Sequence, residues 1–552
     1  MTAAPRTQAG HTAPVRPSAR AYTAKLAPVG SVVGVLVAWT LLAAALAGRE
    51  LVPYPWQVLA QMAKDFPLLA GGNTASTVSI AARGFLVGAV AMIPLAVIAV
   101  LAPVTEALIV QIALVIHSVP FTAIAPILVI VLPGDGPKIA IAALQVYFPL
   151  LMSALLGLRA ADPLMADVVD ASGGSRWSLM RRVRLPAALP ALFAGLQIAV
   201  PGALLGALIA EFFGTNSGLG ALLVQSQSAL NTERAWAVAL YISALAALGY
   251  GIVALTARRL MPWQSKDASV SVALGGVEPS GGPWSKVMGT LLSVALLLAG
   301  WQSLLSALRL DAFFVKGPAD VLRFLIDNPS ATEGAMPSLT GNVGGGGFWA
   351  EFWPGLGQTV VDAGAGFLAG TVGAVAVAVL LSAAPGLERV LMPLAIALKS
   401  VPLVAMTPLL VLVLGRNLVA VTVMVAIITF FPTLVNVLVA LKGAPVGACD
   451  VVRAAGGTAV QVGRYIRLVY AVPALLASAR IAVPAAVSGA TLAEWLATDQ
   501  GLGHVLTDAA QGSDFDTLWS AGFLLVIVVL ALYALVALVD RRVSARLGIA
   551  AR

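Results

Sequence analysis

The sequence contains few of the residues that build disulfides, metal sites and catalytic centres. Among its 552 residues there are one cysteine, Cys449, and three histidines. A single thiol excludes an internal disulfide and a zinc site made of several cysteines, so we expect Cys449 to be a small buried residue. The motifs HExxH and GxSxG are absent, and we find no metal site and no constellation typical of an enzyme.

Charge is also scarce. Charged residues make up 11% of the chain and hydrophobic residues 59%, with a mean hydropathy of +0.95, whereas soluble proteins average about 25% charged residues. Apolar runs such as 31–48, 84–101, 287–308 and 521–539 are long enough to cross a hydrocarbon core of about 30 Å as helices. The alternating polarity of a membrane barrel is not seen. The composition therefore predicts an all-α integral membrane protein within the lipid bilayer.

The positive charges lie between the apolar runs. The formal net charge is +8 at pH 7, but a nucleic-acid-binding protein keeps its Lys and Arg on a solvated face, so we expect no nucleic-acid partner. Two basic segments, 159–186 and 442–467, follow the positive-inside pattern. We predict a multi-pass membrane protein with these segments and both termini in the cytoplasm. The basic amino-terminal segment resembles a secretion signal, but the apolar run after it is interpreted as a retained first helix.

The chain is an internal duplication. Residues 167–220 align with 450–503 without a gap, and half of the aligned positions are identical. Upstream, HSVPFTAIAPILVIVL (117–132) matches KSVPLVAMTPLLVLVL (399–414), and GFLVG (84–88) matches GFLAG (366–370). A repeat of this length predicts two copies of one structural unit. The glycine pairs of the last match are GxxxG motifs, which predict close helix packing.

Each unit is expected to contain about six membrane spans. In the first half these are approximately 31–48, 76–101, 107–132, 138–158, 188–212 and 234–257. An even number of spans gives both halves the same orientation, which is a parallel repeat. In the third span Pro120 and Pro126 can break the helix into a surface helix and a short crossing.

These spans define the predicted domain boundaries. They are a cytoplasmic tail at 1–30, a first unit at 31–260, a cytoplasmic linker at 261–286 and a second unit at 287–545. The linker is polar and contains Gly, Pro and Ser, as linkers usually do. The stretch at 328–347 has no counterpart in the first half, and topology places it outside.

A long polar loop separates the fourth and fifth spans of each half. We call residues 161–190 the first polar loop and residues 444–473 the second polar loop. In the first, Asp162 and Pro163 predict a helix start, and Gly173 and Gly174 predict a left-handed stop. A connection between two spans needs only about 2–8 residues. A helix, a turn and a basic segment of this length favour docking onto another protein.

The polar loops resemble the coupling loop in permease subunits of ATP-binding-cassette importers. That signature begins Glu-Ala-Ala and has a glycine six residues after the acid. Asp167 with Gly173, and Asp450 with Gly456, keep this spacing, while Asp replaces Glu and Val-Val replaces Ala-Ala. The segments SVPFTAIAPILVIVL and AGLQIAVPGALLGALIAEFF further resemble the nitrate, sulfonate, taurine and pyrimidine-precursor subgroup.

The resemblance implies a type I importer fold. Two copies of a separate ATP-binding-cassette ATPase would dock on the loops, and an extracytoplasmic solute-binding protein would deliver the substrate. This chain has no GxxxxGK[ST] phosphate loop, so ATP and Mg would bind to the partner ATPase, with no cofactor on this chain. The residues expected to couple the chain to the ATPase are Asp167, Gly173, Gly174, Arg181, Arg184, Asp450, Gly456, Gly457, Arg464 and Arg467.

Ionisable and polar groups within spans are costly and are candidates for function. The translocation-path candidates are Ser153, Gln197, Glu211, Asn436, Arg480 and Glu494. An interhelical hydrogen bond is the alternative role for Ser153 and Asn436, and helix packing or gating for Gln197 and Arg480. For Glu211 and Glu494, the alternatives are a place at the outer mouth, a contact with the binding protein, or a solvated position at the interface.

The sequence and this resemblance therefore predict a fused, double-length importer permease of a bacterial plasma membrane that hydrolyses no ATP itself. Alternatives are a fused permease for ferric iron or thiamine, and an ion-gradient-driven secondary transporter. The last alternative predicts acidic ion sites in the membrane and no need for the polar loops. Substrate identity is not encoded in any motif of the chain.

Overall fold

The computed structural model describes residues 32–37, 39–46, 52–117, 119–212, 217–261, 283–308, 311–327, 347–384, 386–388, 391–392, 410–411 and 413–546. The 1–30 tail, most of the 261–286 linker and nearly all of the 328–347 insertion lie outside these residues. So does most of the third span of the second half.

All regular structure in the described residues is helical. The numbered helices of the first half are α1 (Pro55–Lys64), α2 (Thr74–Leu101), α3 (Pro103–His117), α4 (Phe121–Val131), α5 (Gly136–Arg159), α6 (Pro163–Ala171), α7 (Leu185–Phe212), α8 (Leu219–Ser228) and α9 (Thr232–Leu260). Those of the second half are α10 (Pro283–Leu308), α11 (Pro318–Asp327), α12 (Phe348–Ala383), α13 (Leu418–Lys442), α14 (Val446–Ala454), α15 (Leu468–Ala497), α16 (Leu502–Gln511) and α17 (Phe515–Arg546).

Eight helical stretches of the described chain are long and apolar enough to cross a membrane. They are Phe66–Leu101, Gly136–Arg159, Arg176–Phe212, Thr232–Leu260, Phe348–Ala383, Leu418–Lys442, Ala459–Leu496 and Phe515–Arg546. These correspond to the second, fourth, fifth and sixth predicted spans of each half. A helix satisfies its backbone hydrogen bonds internally, as a chain in lipid requires. The predicted all-α fold with two tandem units is confirmed.

Glycines set the packing inside each unit. In the first half α5 packs between α2 and α7, and in the second half α13 packs between α12 and α15. A Cβ atom added at Gly88 would lie 2.9 Å from Val146 Cγ1, and one at Gly370 would lie 2.6 Å from the Ala426 carbonyl oxygen. Only glycine permits these backbones to approach so closely, which confirms the close packing predicted from the GxxxG motifs.

The third span of the first half is broken, as its prolines indicated. Helix α3 ends at His117, and Pro120 lies in extended backbone just before α4. Pro126 lies inside α4 without ending it. Proline removes a backbone donor and fixes φ, so Pro120 can begin a new helix, while one missing hydrogen bond is tolerated at Pro126.

Helix α4 joins the two halves. It packs against α15, α16 and α17 of the second half as well as against α5. Its residue Ala125 shares a core with Ile141 and Ile209 of the first half and with Leu492 of the second. Helix α10 crosses in the other direction and packs on α3, where Ser293 donates a hydrogen bond to Gln111 at 3.0 Å. The halves therefore exchange helices at their interface.

Candidate functional site: the duplicated polar loops

The first polar loop is a short helix stopped by two glycines. Asp162 accepts a hydrogen bond from the Leu164 amide at 2.9 Å and caps α6. Gly173 has a φ of +72°, and the Gly174 amide donates to the Val169 carbonyl at 2.8 Å. This is the left-handed helix stop predicted from the sequence. A second short helix then begins at Arg176.

The second polar loop repeats this geometry. Gly456 has a φ of +80°, and the Gly457 amide donates to the Val452 carbonyl at 2.8 Å. A Cβ atom at Gly457 would lie 2.6 Å from that carbonyl oxygen, whereas one at Gly456 would meet nothing within 4 Å. The first glycine of each pair is therefore required by backbone conformation and the second by space.

Both loops present apolar side chains to solvent. Leu164 and Val168 on α6, and Val446 and Val451 on α14, are each more than half exposed. Exposed aliphatic side chains beside polar residues mark a protein contact surface when they are contiguous. Among the predicted coupling residues, Asp167, Arg181, Asp450 and Arg464 are exposed, and Arg184 and Arg467 are half-buried. Cys449 is buried, as predicted.

An ion pair fixes the start of each loop. Arg159 at the end of α5 pairs with Glu106 on α3, and Lys442 at the end of α13 pairs with Glu388. The repeat alignment places Glu106 opposite Glu388 and Arg159 opposite Lys442. Each pair connects the span that leads into a polar loop to the third-span region of its own half.

The two loop helices carry different charge. On α6, Asp167 is followed by Asp170, whereas on α14 Asp450 is followed by Arg453. Arg453 donates to Asp450 at 2.9 Å, with both side chains more than half exposed. An exposed pair of this kind adds little stability, but it makes the second helix nearly neutral while the first stays acidic. The two loop helices are matched in shape and unequal in charge.

At the other end of the fifth span of the first half, a carboxylate holds the start of α8. Glu211 on α7 is 1% exposed and accepts hydrogen bonds from the Thr77 hydroxyl and the Gly220 amide, both at 2.7 Å. The Thr77 hydroxyl in turn accepts the Leu219 amide at 2.9 Å. Gly218 has a φ of +108° and carries the chain over the carboxylate into α8.

The second half builds the same arrangement. Glu494 on α15 is 0% exposed and accepts hydrogen bonds from the Thr359 hydroxyl at 2.9 Å and the Gly503 amide at 2.8 Å. The Thr359 hydroxyl accepts the Leu502 amide at 2.9 Å. The solvated position considered for the two glutamates is therefore wrong, because both carboxylates are buried beneath the helix starts that they hold.

The second carboxylate has a neighbour that the first lacks. Asp362 on α12 is 1% exposed, and its carboxyl group lies within hydrogen-bonding reach of Glu494. Gln358 donates to Asp362 Oδ1 at 3.1 Å. The repeat places Ile80 at the position of Asp362, and Ile80 belongs to an apolar core in the first half. This acidic pair is therefore particular to the second half.

Three of the other path candidates contact neighbouring helices. Asn436 donates to Ser478 at 3.1 Å, from α13 to α15, while the matching Ser153 is buried against Gly195. Arg480 on α15 pairs with Asp540 on α17 at 2.7 Å. The matching residues of the first half are the half-buried Gln197 and the buried Ala257. The second half therefore has a charged residue at both positions, and the first half has a charged residue at neither.

Sequence reasoning missed the partners of these groups. Four residues that contact a predicted glutamate or arginine were not themselves predicted. They are Thr77, Thr359, Asp362 and Asp540. A signal did exist for the threonines, because Thr77 and Thr359 occupy matching positions of the repeat. The repeat counterpart of Asp540 is Ala257. Comparing the halves therefore shows that this position differs but does not identify Arg480 as the partner of Asp540.

Comparison with known proteins now decides the family. The sequence pattern of the family described as binding-protein-dependent transport system inner membrane component matches this chain twice, at residues 84–262 and 370–547. The chain belongs to this family. It is a permease of the ATP-binding-cassette importer type with two family units fused in one polypeptide, and its function is the uptake of a small solute across a membrane.

Several curated permeases are similar to this one. The formylaminopyrimidine transport permease protein of Halalkalibacterium halodurans is 25% identical over 249 residues, which cover 45% of this chain and 99% of that protein. The taurine transport system permease protein of Escherichia coli is 30% identical over 176 residues, covering 32% and 64%. A carnitine transport permease protein of Listeria monocytogenes is 28% identical over 196 residues, covering 35% and 87%.

Proposed function

We propose that the two polar loops are the docking surfaces for two copies of an ATP-binding-cassette ATPase. One observation carries this proposal, namely that the helix, the glycine stop and the exposed aliphatic side chains occur twice at matching positions. One chain would then supply both docking surfaces and complete the membrane pore alone. ATP and Mg would bind to the ATPase subunits, and this chain would hydrolyse no ATP and bind no cofactor of its own.

The orientation follows from the same proposal. The polar loops and both termini would face the cytoplasm, because the basic residues of the loops obey the positive-inside pattern. The starts of α8 and α16, held by Glu211 and Glu494, would then face outward, where an extracytoplasmic solute-binding protein delivers substrate. The coupling residues within the loops would transmit nucleotide-driven movement through α5, α7, α13 and α15 to the path between the halves.

The substrate class is also a proposal. Relatives named for taurine, carnitine and a formylaminopyrimidine support a small, polar, nitrogen-containing solute. Selectivity would rest largely with the binding protein. The family match favours this function over an ion-gradient-driven transporter. Among importers, the names of the relatives favour the sulfonate, taurine and pyrimidine-precursor type over the ferric iron type.

Counting the bound ATPase subunits tests the proposal. The complex of the full chain with its ATPase is purified, and the ATPase-to-permease ratio is measured for the wild type, Gly173→Val, Gly456→Val and the double variant. Valine disfavours a positive φ, so we expect ratios of two, one, one and zero. Gly463→Ala is the matched control, because Gly463 lies in the second polar loop with open space around it and an ordinary φ.

Two results would refute the proposal. If both single variants retain two ATPase subunits, the polar loops are not the docking surfaces. If substrate uptake into proteoliposomes proceeds without any ATPase, the chain is not the permease of an ATP-driven importer.

A further inference from the structure

The helices that begin the two polar loops differ in charge. Residues 162–171 contain three aspartates and no lysine or arginine, whereas residues 445–454 contain one aspartate and one arginine. The formal charge of the helix is therefore −3 in the first loop and zero in the second. The exposed residues responsible occupy two matching positions, with Asp162 opposite Pro445 and Asp170 opposite Arg453.

The segments that follow the glycine stops also differ in charge. Residues 175–184 contain four arginines, whereas residues 458–467 contain two. The arginines that the second loop lacks and the residues that replace them are all exposed, namely Arg176 opposite Ala459 and Arg182 opposite Tyr465. The first loop therefore exposes more charge of both signs than the second.

The remaining charges of the second loop are engaged within the chain. Arg453 Nη1 donates to Asp450 Oδ1 at 2.9 Å, and the Arg464 guanidinium lies 5.8 Å from the centre of the Tyr465 ring. An exposed ion pair of this kind adds little stability, but its cation already neutralises the carboxylate. Asp450 therefore has less attraction for a cation on a partner.

The matching carboxylate of the first loop has no such cation. Asp167 and Asp170 are exposed, and neither makes a side-chain hydrogen bond or an ion pair with the residues that the structure describes. Like charges that lie one turn apart on a helix repel each other. A cation on a docked partner would remove this repulsion and form a charge-assisted hydrogen bond.

Apolar side chains, in contrast, are exposed to a similar extent in the two loops. Leu164 and Val168 of the first loop are 71% and 60% exposed, and Val446 and Val451 of the second are 71% and 69% exposed. Burial of apolar surface stabilises a contact without any charge that salt could screen. The apolar part of a contact with one partner is therefore available to both loops, and the charged part mainly to the first.

From these observations we infer that the ATPase binds the first loop through charge and the second loop mainly through apolar contacts. In this arrangement a basic group of the ATPase lies opposite Asp167 and Asp170, and at the second loop Arg453 supplies that positive charge from within the chain. The inference rests on the proposed function, in which each loop docks one ATPase subunit. Two copies of one ATPase are then bound with different dependence on salt.

Single-loop chains separate the two contacts. Gly456→Val retains the first loop alone, and Gly173→Val retains the second loop alone. Each full-length variant is placed in nanodiscs of phosphatidylcholine, which has no net charge, and its Kd is measured for the ATPase subunit that copurifies with the wild type. Raising NaCl from about 0.1 M to about 1 M shortens the Debye length from about 10 Å to about 3 Å. We expect binding to weaken about tenfold or more for the first loop and less than about threefold for the second.

Exchanging the charge at one matched position should reverse this difference. Asp170→Arg in the chain that retains the first loop should remove most of the salt dependence. Arg453→Asp in the chain that retains the second loop should create it, and should lower the Kd about threefold or more at about 0.1 M NaCl. Asp327→Arg is the matched control, because Asp327 is exposed at the end of α11, outside both loops, and its substitution changes the net charge as Asp170→Arg does.

Two results would overturn the inference. One is an equal salt dependence of the two single-loop chains. The other is unchanged or weaker binding of Arg453→Asp at low salt, which would mean that Arg453 is not a substitute for a basic group of the ATPase.

Failure of the proposed function gives a different result. In that case both glycine variants retain two ATPase subunits, and the inference falls with the proposal. One subunit bound to each glycine variant with equal salt dependence rejects the difference in binding forces alone, and leaves the loops as the docking surfaces.

Discussion

Thr77 donates a hydrogen bond to Glu211 at 2.7 Å, and the same hydroxyl accepts the amide hydrogen of Leu219. One threonine thereby joins α2, α7 and the first residue of α8. Thr359 makes the corresponding bonds to Glu494 and Leu502 in the second half. The repeated unit thus contains a fixed clamp at the end of the spans opposite the polar loops.

Replacing Thr77 by valine should open this clamp. The variant keeps the shape of the side chain but removes the donor to Glu211 and the acceptor for Leu219, and a buried polar group left without its partner costs about 1–3 kcal/mol. We expect a lower unfolding midpoint in detergent and faster proteolysis near residue 217. Thr77→Ser, which retains the hydroxyl, should behave like the wild type, and a Val variant as stable as the Ser variant would contradict the clamp.

Two glycines of α12 test the close contact between α12 and α13, one as the variant site and the other as its control. A Cβ atom at Gly370 would lie 2.6 Å from the Ala426 carbonyl oxygen and 2.9 Å from Ala426 Cα, whereas one at Gly364 would meet nothing within 4 Å. Because backbone cannot move aside cheaply, Gly370→Ala should destabilise the protein by about 1–3 kcal/mol. Gly364→Ala should be neutral or stabilise it by up to about 1 kcal/mol. Thermal unfolding measures both, and equal effects would disprove the close contact.

An ion pair joins the residue that follows α1, Asp65, to Arg234 in the first turn of α9. This pair should make the free energy of unfolding depend on pH. Asp65 accepts hydrogen bonds from Arg234 at 2.8 and 3.2 Å, and the hydrogen bond from Arg234 lowers the pKa of Asp65 below its ordinary value. A lowered pKa in the folded state stabilises the protein above the unfolded pKa and ceases to do so as pH falls through the folded value.

Comparing the wild type with Arg234→Gln measures this pH dependence. Their unfolding midpoints should differ at neutral pH and converge as the pH falls below about 4, the ordinary pKa of aspartate. Asp65→Asn should be less stable than the wild type at neutral pH for the same reason. A constant difference between wild type and Arg234→Gln down to about pH 3 would show that Asp65 titrates normally.

The repeat explains what could be predicted and what could not. A glycine stop is local, so DVVDASGG and DVVRAAGG were sufficient to predict the two loop geometries with Gly173 and Gly456 at positive φ. Proline effects are local too, which is why the break at Pro120 was expected. Contacts between distant segments left no local signal, and for Thr77 and Thr359 the only indication was their matching position in the repeat. The burial of Glu211 depends on Thr77, more than a hundred residues earlier, and the packing of α10 on α3 crosses between the halves.

The ion pair between Arg480 and Asp540 offers the sharpest comparison of the two halves. Their side chains are only 15% and 17% exposed, and the first half has Gln197 and Ala257 at the matching positions. Removing one partner of a buried pair leaves an uncompensated charge, which costs about 3–5 kcal/mol, whereas replacing both partners can be nearly neutral. Arg480→Gln and Asp540→Ala should therefore each lower the unfolding midpoint strongly. The double variant, which has the residues of the first half at both positions, should recover most of the lost stability.

Additive losses of stability in the double variant would mean that the two residues act independently. If the double variant is also inactive in ATP-driven uptake while fully stable, the pair has a part in transport beyond helix packing.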